Sequence, residues 1–179
     1  MKNQKLSYIA KVGVLSAVAI ILYYLEFPIL PAFPWLMIDF SEIPVLLGGF
    51  ALGPVAGILI ELIKNVLHFI FKGATGGVGE LANFLLGVAF ILPAAWIYKR
   101  NKSIKNALIG MAVGIVFTLI MSVVLNLYLF IPLYFPAMEV EEIWAYIVAG
   151  AVPVTAIKFI VNSAIVYIIY PKISVLLHK

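Results

Sequence analysis

The 179-residue chain has no cysteine, which excludes a disulfide framework and a thiolate metal site. It has only two histidines, His68 and His178, and the second falls in the C-terminal tail, so a histidine-based metal site is not expected either. Charge is scarce, with Asp, Glu, Lys and Arg together making 11% of the residues. The net charge of +4 does not point to nucleic acid, because the basic residues gather where a membrane protein needs cytoplasmic anchors. The glycine-rich run 73–79 lacks the Gly-Lys-Ser/Thr ending of a phosphate-binding loop and follows an apolar helix instead of a strand, so it reads as a turn. No Gly-x-Ser-x-Gly elbow occurs, and no second histidine stands where it could serve Ser163 as a base. Hydrolase chemistry and ATP hydrolysis by this chain are therefore not expected. If it takes part in ATP-driven transport, other subunits must supply the energy.

What the chain has in abundance is apolar surface: 65% of its residues are hydrophobic, and the mean hydropathy is +1.16. The apolar stretches are roughly 20 residues long, enough to cross a bilayer as helices. They are apolar all round and carry Gly and Ala at helical spacings, which excludes a β-barrel with its alternation of apolar and polar residues. The expected architecture is an all-α integral membrane protein, one domain over 1–179, with transmembrane helices at 7–27, 41–53, 54–72, 79–98, 105–131 and 143–170. The first is a retained span, because the apolar run continues through Tyr24 past the superficial cleavage site at Ala17, Val18 and Ala19. The second is short, with Ser41 as its cap and Pro44 in its first turn, and Gly53 and Pro54 make a tight turn into the third.

Acidic and basic residues separate by side. Lys2, Lys5 and Lys11, then Lys99, Arg100, Lys102 and Lys105, then Lys172 and Lys179 fall together on one side of six spans, and the positive-inside rule places both termini in the cytoplasm. Glu26, Asp39, Glu42, Glu80, Glu139, Glu141 and Glu142 fall toward the opposite side. Between the first two spans, Pro28, Pro31 and Pro34 alternate with Phe33, Trp35 and Leu36, which reads as an ordered outer cover over a pocket, or more plainly as an interfacial aromatic belt.

A few polar residues break the apolar spans, where a charge costs about 2.5 to 3.5 kcal/mol on insertion scales. Thr155, Lys158 and Asn162 share one face of the last span. Glu61, Asn65, His68 and Lys72 form a stripe on the third, with Lys64 in reach of Glu61; Glu80, Asn83 and Gly87 line the fourth, and Asn126, Tyr128 and Tyr134 the outer part of the fifth. For Glu61, Lys64 and Asn65, a self-satisfied interhelical network and a ligand site fit equally. Lys158 has no acid within reach on its own helix, which favours ligand contact. Gly13 and Ala17 make a small-x-x-x-small pattern on the first span, suited to close approach of another helix.

These features together resemble the substrate-binding S components of energy-coupling factor (ECF) vitamin transporters, in particular the riboflavin-specific branch. The resemblance runs along the whole chain, through Ile38, Asp39, Phe40, Ser41, Glu42, Ile43 and Pro44 at the second span, Glu61, Lys64, Asn65 and His68 in the third, Gly79, Glu80, Asn83 and Phe84 opening the fourth, and Pro153 to Lys158 in the last. Two positions depart from the family pattern: Thr155 replaces a frequent Asn, and Gly13 replaces the first Ala of the coupling motif.

The resemblance implies a non-enzymatic subunit that captures riboflavin from outside, with riboflavin as transported ligand and no cofactor. It implies Asn126, Thr155 and Lys158 as polar ligands, with Leu36, Met37, Ile38 and Asp39 in the cover and Asn83 and Asn162 in the substrate-binding set. If FMN also binds, Lys158 or Lys72 would favour its phosphate. Gly13 and Ala17 would face a transmembrane coupling subunit, which works with two cytoplasmic ATPase subunits of the ECF module. The implied setting is the prokaryotic cytoplasmic membrane. The competing expectations are an S component for another vitamin, a small intramembrane enzyme, or a membrane scaffold that would tolerate Lys158→Met.

Overall fold

A computed structural model of the chain describes residues 2–73 and 75–177. Of the residues used above, Ala74 in the glycine-rich run, His178 and Lys179 lie outside them, as do the side chains of Lys2 and Lys172. The chain runs through α1 (Lys2–Tyr24), β1 (Phe27–Pro28), β2 (Met37–Ile38), α2 (Glu42–Leu52), α3 (Pro54–Phe71), α4 (Val78–Arg100), α5 (Ile104–Leu125), α6 (Ile131–Tyr134), α7 (Val140–Tyr146) and α8 (Val152–Leu177). α5 and α6 join through a π-helical stretch, Asn126–Phe130, and α7 and α8 through another, Ile147–Ala151. Among the described residues, five helical rods are long and apolar enough to cross a membrane: Gln4–Tyr24, Pro54–Phe71, Val78–Arg100, Ile104–Tyr134 and Val140–Tyr170. With α2 they make the expected six helices. The last two rods extend toward each other beyond the boundaries read from sequence, and each contains one of the π-helical stretches.

Local sequence explains most helix ends. Gly53 takes φ 100°, a left-handed conformation that costs a glycine little, and Pro54 follows at the start of α3, where its missing N–H has no helical partner to lose. Ser103 caps α5 by accepting from the Asn106 amide, and Glu139 and Glu142 form a reciprocal capping box on α7. The expected capping role of Ser41 is not seen: its side chain makes no cap hydrogen bond, and its Oγ instead accepts from Lys64 Nζ at 2.7 Å. A buried ammonium is a stronger donor than a backbone amide, so it wins the hydroxyl.

Eight of the eleven residues of α2 are buried. A helix too short to span a bilayer, yet apolar all round, is stable only inside the bundle. There Val45, Leu46 and Phe50 of α2 pack with Ile60 of α3, Phe90, Ile91 and Tyr98 of α4, and Phe159 and Val166 of α8. α4 and α5 approach closely because α5 presents Gly110 and Gly114 to the backbone of α4: a Cβ on either would lie 2.6 Å from the carbonyl oxygen of Ala94 or Phe90. Leu6, Ile21, Ile70, Phe71 and Ile168 point outward and expose an apolar flank of the kind a bilayer covers.

Contacts at the helix ends fix the sides. Tyr23, near the end of α1, stacks on His68, near the end of α3, with ring centroids 3.9 Å apart. Tyr98, near the end of α4, meets the hydroxyl of Tyr170 on α8. The late turns of α4 and α8 therefore share one side, while the end of α1, the end of α3 and the start of α4 share the other. On that second side β1 and β2 pair antiparallel, Phe27 opposite Ile38 and Pro28 opposite Met37, and the intervening proline-rich segment folds over the bundle. Phe33 of this segment lies edge-on to Tyr146, and Trp35 stacks on Tyr146 and against Phe135.

Candidate functional site

Beneath this cover lies a cavity of about 550 Å³, within the size range of small-molecule pockets. Its roof is Trp35, Leu36 and Met37, its aromatic walls include Tyr23, Phe130, Phe135, Tyr146 and Phe159, and its polar groups come from α3, α4, α8, the first π-helical stretch and, through Glu26 and Asp39, the segment between α1 and α2. Both π-helical stretches border it, through Asn126 and Phe130 on one and Ala151 on the other. An extra residue per turn widens a helix locally and redirects its side chains, a distortion that recurs at functional sites.

Of the residues singled out from sequence, Leu36, Met37, Asp39, Asn83, Asn126, Thr155 and Lys158 all line the cavity. Ile38 and Asn162 do not. Strand alternation accounts for Ile38: Met37 and Asp39 project to one face and Ile38, 7% exposed, to the other. Asn162 is buried behind the wall and donates from Nδ2 to the backbone carbonyls of Asp39 (2.9 Å) and Lys158 (2.8 Å), so it braces two lining residues. Gly13 and Ala17 lie on the exposed face of α1, and nothing in the described chain would meet a Cβ at Gly13 within 4 Å.

The polar wall is an ordered ion network. Lys158 Nζ donates to Asp39 Oδ2 at 2.8 Å and to Asn83 Oδ1 at 3.0 Å, and stands 3.6 Å from Glu42 Oε1. The acid that Lys158 lacks on its own helix is thus supplied from the cover, 119 residues away in sequence. Asp39 also accepts the Ser41 amide at 2.8 Å. Burial pushes its carboxyl up, but the Lys158 and Lys64 charges and these hydrogen bonds outweigh burial and hold it below the usual carboxylate range. Behind it, Lys64 Nζ is held by Glu42 (2.6 Å), Ser41 (2.7 Å) and Glu61 (2.9 Å), all fully buried. Asn65 donates to Glu61 Oε1 at 2.9 Å. Thr155 pairs with Ser122 at 3.3 Å, and Asn126 donates back to the Ser122 carbonyl at 2.7 Å. Its carboxamide oxygen is not used in that contact.

A second charged group sits at the rim. His68 Nδ1 is 2.9 Å from Glu80 Oε1, and its Nε2 is 3.5 Å from Glu26 Oε1. Lys72 Nζ also pairs with Glu26, and the Thr75 hydroxyl donates to Glu80 Oε2 at 2.9 Å. Burial pushes the Glu26 carboxyl up, but His68 and Lys72 more than offset it and leave it below its ordinary range.

Two lining residues, Tyr23 and Tyr146, and one residue behind the wall, Glu42, escaped the sequence reading. Tyr23 and Tyr146 look like interfacial aromatics in sequence. Glu42 looks like an ordinary first-turn acid. Only the fold shows Glu42 bridging Lys64 and Lys158. The enclosed shape, with aromatic walls and a few fixed donors and acceptors, suits a flat ligand that is largely apolar with a polar edge.

Known proteins share the sequence and fold of this chain. Residues 7–170 match the family model "ECF transporter, substrate-specific component". The chain is 36% identical over 167 residues to riboflavin transporter RibU of Staphylococcus aureus (strain TCH60), covering 91% of this chain and 88% of that protein. It is likewise 36% identical over 178 residues to riboflavin transporter FmnP of Bacillus subtilis (strain 168), covering 95% and 93%. A solved structure of the S component of a bacterial ECF transporter matches with a TM-score of 0.81 at 35% identity, over 100% of both chains.

Proposed function

Given that this chain belongs to the family of substrate-specific components of ECF transporters, a family of multi-pass membrane proteins, we propose that it binds riboflavin from the outer side and delivers it for uptake. The observation that carries this reading is the cavity itself. Trp35, Phe135 and Tyr146 provide flat apolar surface, while Lys158, Asn83, Asn126 and Thr155 place donors and acceptors along one end. An isoalloxazine ring has the same division, with flat faces and a hydrogen-bonding pyrimidine edge. FMN carries the same ring and differs at its phosphate, so the slot fits both and the phosphate decides between them.

The chain has no motif for ATP hydrolysis, so energy comes from the ECF module: a transmembrane coupling subunit and two ATPase subunits. The exposed Gly13 and Ala17 face of α1 offers the coupling subunit a place for close helix approach. Both termini are cytoplasmic in this reading, in line with the basic residues Lys99 and Arg100 at the end of α4, opposite the cavity.

The test is a visible absorption spectrum of the detergent-purified protein, followed by riboflavin titration of ligand-free wild type and Lys158→Ala. Stoichiometric binding by the wild type, weakened at least about tenfold by the substitution, is expected from loss of a charge-assisted hydrogen bond. Folded wild-type protein that neither carries nor takes up flavin would overturn the proposal and redirect it to another vitamin.

A further inference from the structure

Each cationic group at the cavity already has a carboxylate against it. Lys158 meets Asp39 at 2.8 Å, Lys72 meets Glu26, and His68 meets Glu80 at 2.9 Å. Among the described lining residues, the three carboxylates Glu26, Asp39 and Glu80 stand against the two ammonium groups of Lys72 and Lys158, with His68 between them. Three negative charges against two positive leave the lining at −1 with a neutral imidazole, and at zero with a protonated one. Neither state offers surplus positive charge. A phosphate monoester brings about −1.5 to −2 at pH 7, and in the usual phosphate site free Lys or Arg donors face it. Here such a group would have to displace a carboxylate or stand beside one.

With the ring's polar edge placed at the Lys158 end, as in the proposed function, the ribityl chain and any phosphate on it would fall at the rim, against Glu26, His68, Lys72, Thr75 and Glu80. Hydroxyl groups can donate to these carboxylates. A phosphate monoester is mostly dianionic at neutral pH, so it has few protons to give them and is repelled by both.

We propose that Glu26 and Glu80 are specificity-determining residues: by engaging Lys72 and His68 they make the pocket select the uncharged flavin over its phosphate ester. The inference rests on the flavin-binding reading and adds to it which flavin is preferred and why.

The experiment measures Kd for riboflavin and for FMN, by quenching of flavin fluorescence at fixed salt, on purified ligand-free wild type, Glu26→Gln, Glu80→Gln and the double variant Glu26→Gln/Lys72→Met. The quantity read is the ratio of the two constants, so riboflavin serves as the internal control in every variant. In the wild type, FMN is expected to bind at least about tenfold more weakly. Each single variant should reduce that ratio by about fivefold or more, because a cation is released to the phosphate, and the double variant should restore it. Should Glu80→Gln fail to fold, Glu26→Gln carries the test, since its partner Lys72 is 38% exposed at the side chain and remains solvated without it. Equal binding of the two flavins by the wild type overturns the inference, as does an unchanged ratio in the folded variants. Failure of folded wild type to bind riboflavin at all overturns the proposed function and this inference with it.

Discussion

Among the described residues, Lys64 is the cation that touches both Glu42 and Glu61, and replacing it with Met would remove it. The lysine is completely buried, with acceptors at 2.6, 2.7 and 2.9 Å, and the Met side chain fills nearly the same volume. The packing loss is therefore small, and the effect isolates charge. Breaking a buried ion pair by deleting one partner costs about 3 to 5 kcal/mol, because the other partner is left buried and uncompensated. For a chain of this size about 2 to 4 °C of melting temperature accompanies each kcal/mol, so a fall of roughly 10 °C is expected. Unfolding in detergent followed by intrinsic tryptophan fluorescence reads it directly. Glu61→Gln in the Lys64→Met background should recover part of the loss, because it removes one of the two buried charges left uncompensated. A melting temperature within 2 °C of wild type at pH 8 would refute the view that Lys64 neutralises this cluster.

Two further outcomes follow from the cover. Because the Asp39 carboxyl is held below the ordinary carboxylate value of about 3.9, its ion pair with Lys158 contributes fully above that pH and is lost only as pH falls through the depressed folded value. Stability and riboflavin affinity should thus stay flat in this respect from pH 8 to 5, and Asp39→Asn should remove the acid-side loss; melting temperature and binding followed from pH 8 down to about 2.5 check both. Trp35→Ala removes the ring that packs on Tyr146 and Phe135, worth about 0.5 to 1.5 kcal/mol per aromatic pair beyond area burial. Stopped-flow dissociation should show riboflavin leaving about tenfold faster, with the association rate changed much less.

The helices were legible because a membrane span needs a long apolar run, and the chain has little else. The polar faces were legible for a related reason: an interruption such as Lys158 or Glu61 stands out against so apolar a background, and helical spacing assigns it a side. The partner of Lys158 was not legible. Periodicity speaks only for residues on one element, and Asp39 reaches the lysine from a loop 119 positions away. The π-helical stretches were hidden for another reason. Asn126–Phe130 and Ile147–Ala151 each run into a proline two residues on, Pro132 and Pro153, but apolar periodicity does not register a widened turn. Ser41 shows a competition that sequence rules leave out, since a strong capping residue was claimed by a buried ammonium from α3.

The cover and the polar wall of the cavity are held by the same few groups. Asp39 follows the strand that closes the roof; its carboxylate takes Lys158, its carbonyl takes Asn162, and the Ser41 amide binds it from the start of α2. Glu42, three residues on, is shared between Lys64 on α3 and Lys158 on α8. A ligand acceptor that reaches Lys158 must therefore share or replace bonds that now fix the cover. A ligand shifts a conformational equilibrium only by binding its two states differently, and this arrangement supplies such a difference: the ammonium group can bond the roof, the ligand, or both. In the proposed riboflavin-binding role, occupancy of the pocket and position of the cover would be linked through one nitrogen atom. That link also explains why a lysine sits where the membrane makes it expensive: a neutral donor could satisfy a ligand, but only a cation balances Asp39 and Glu42 as well.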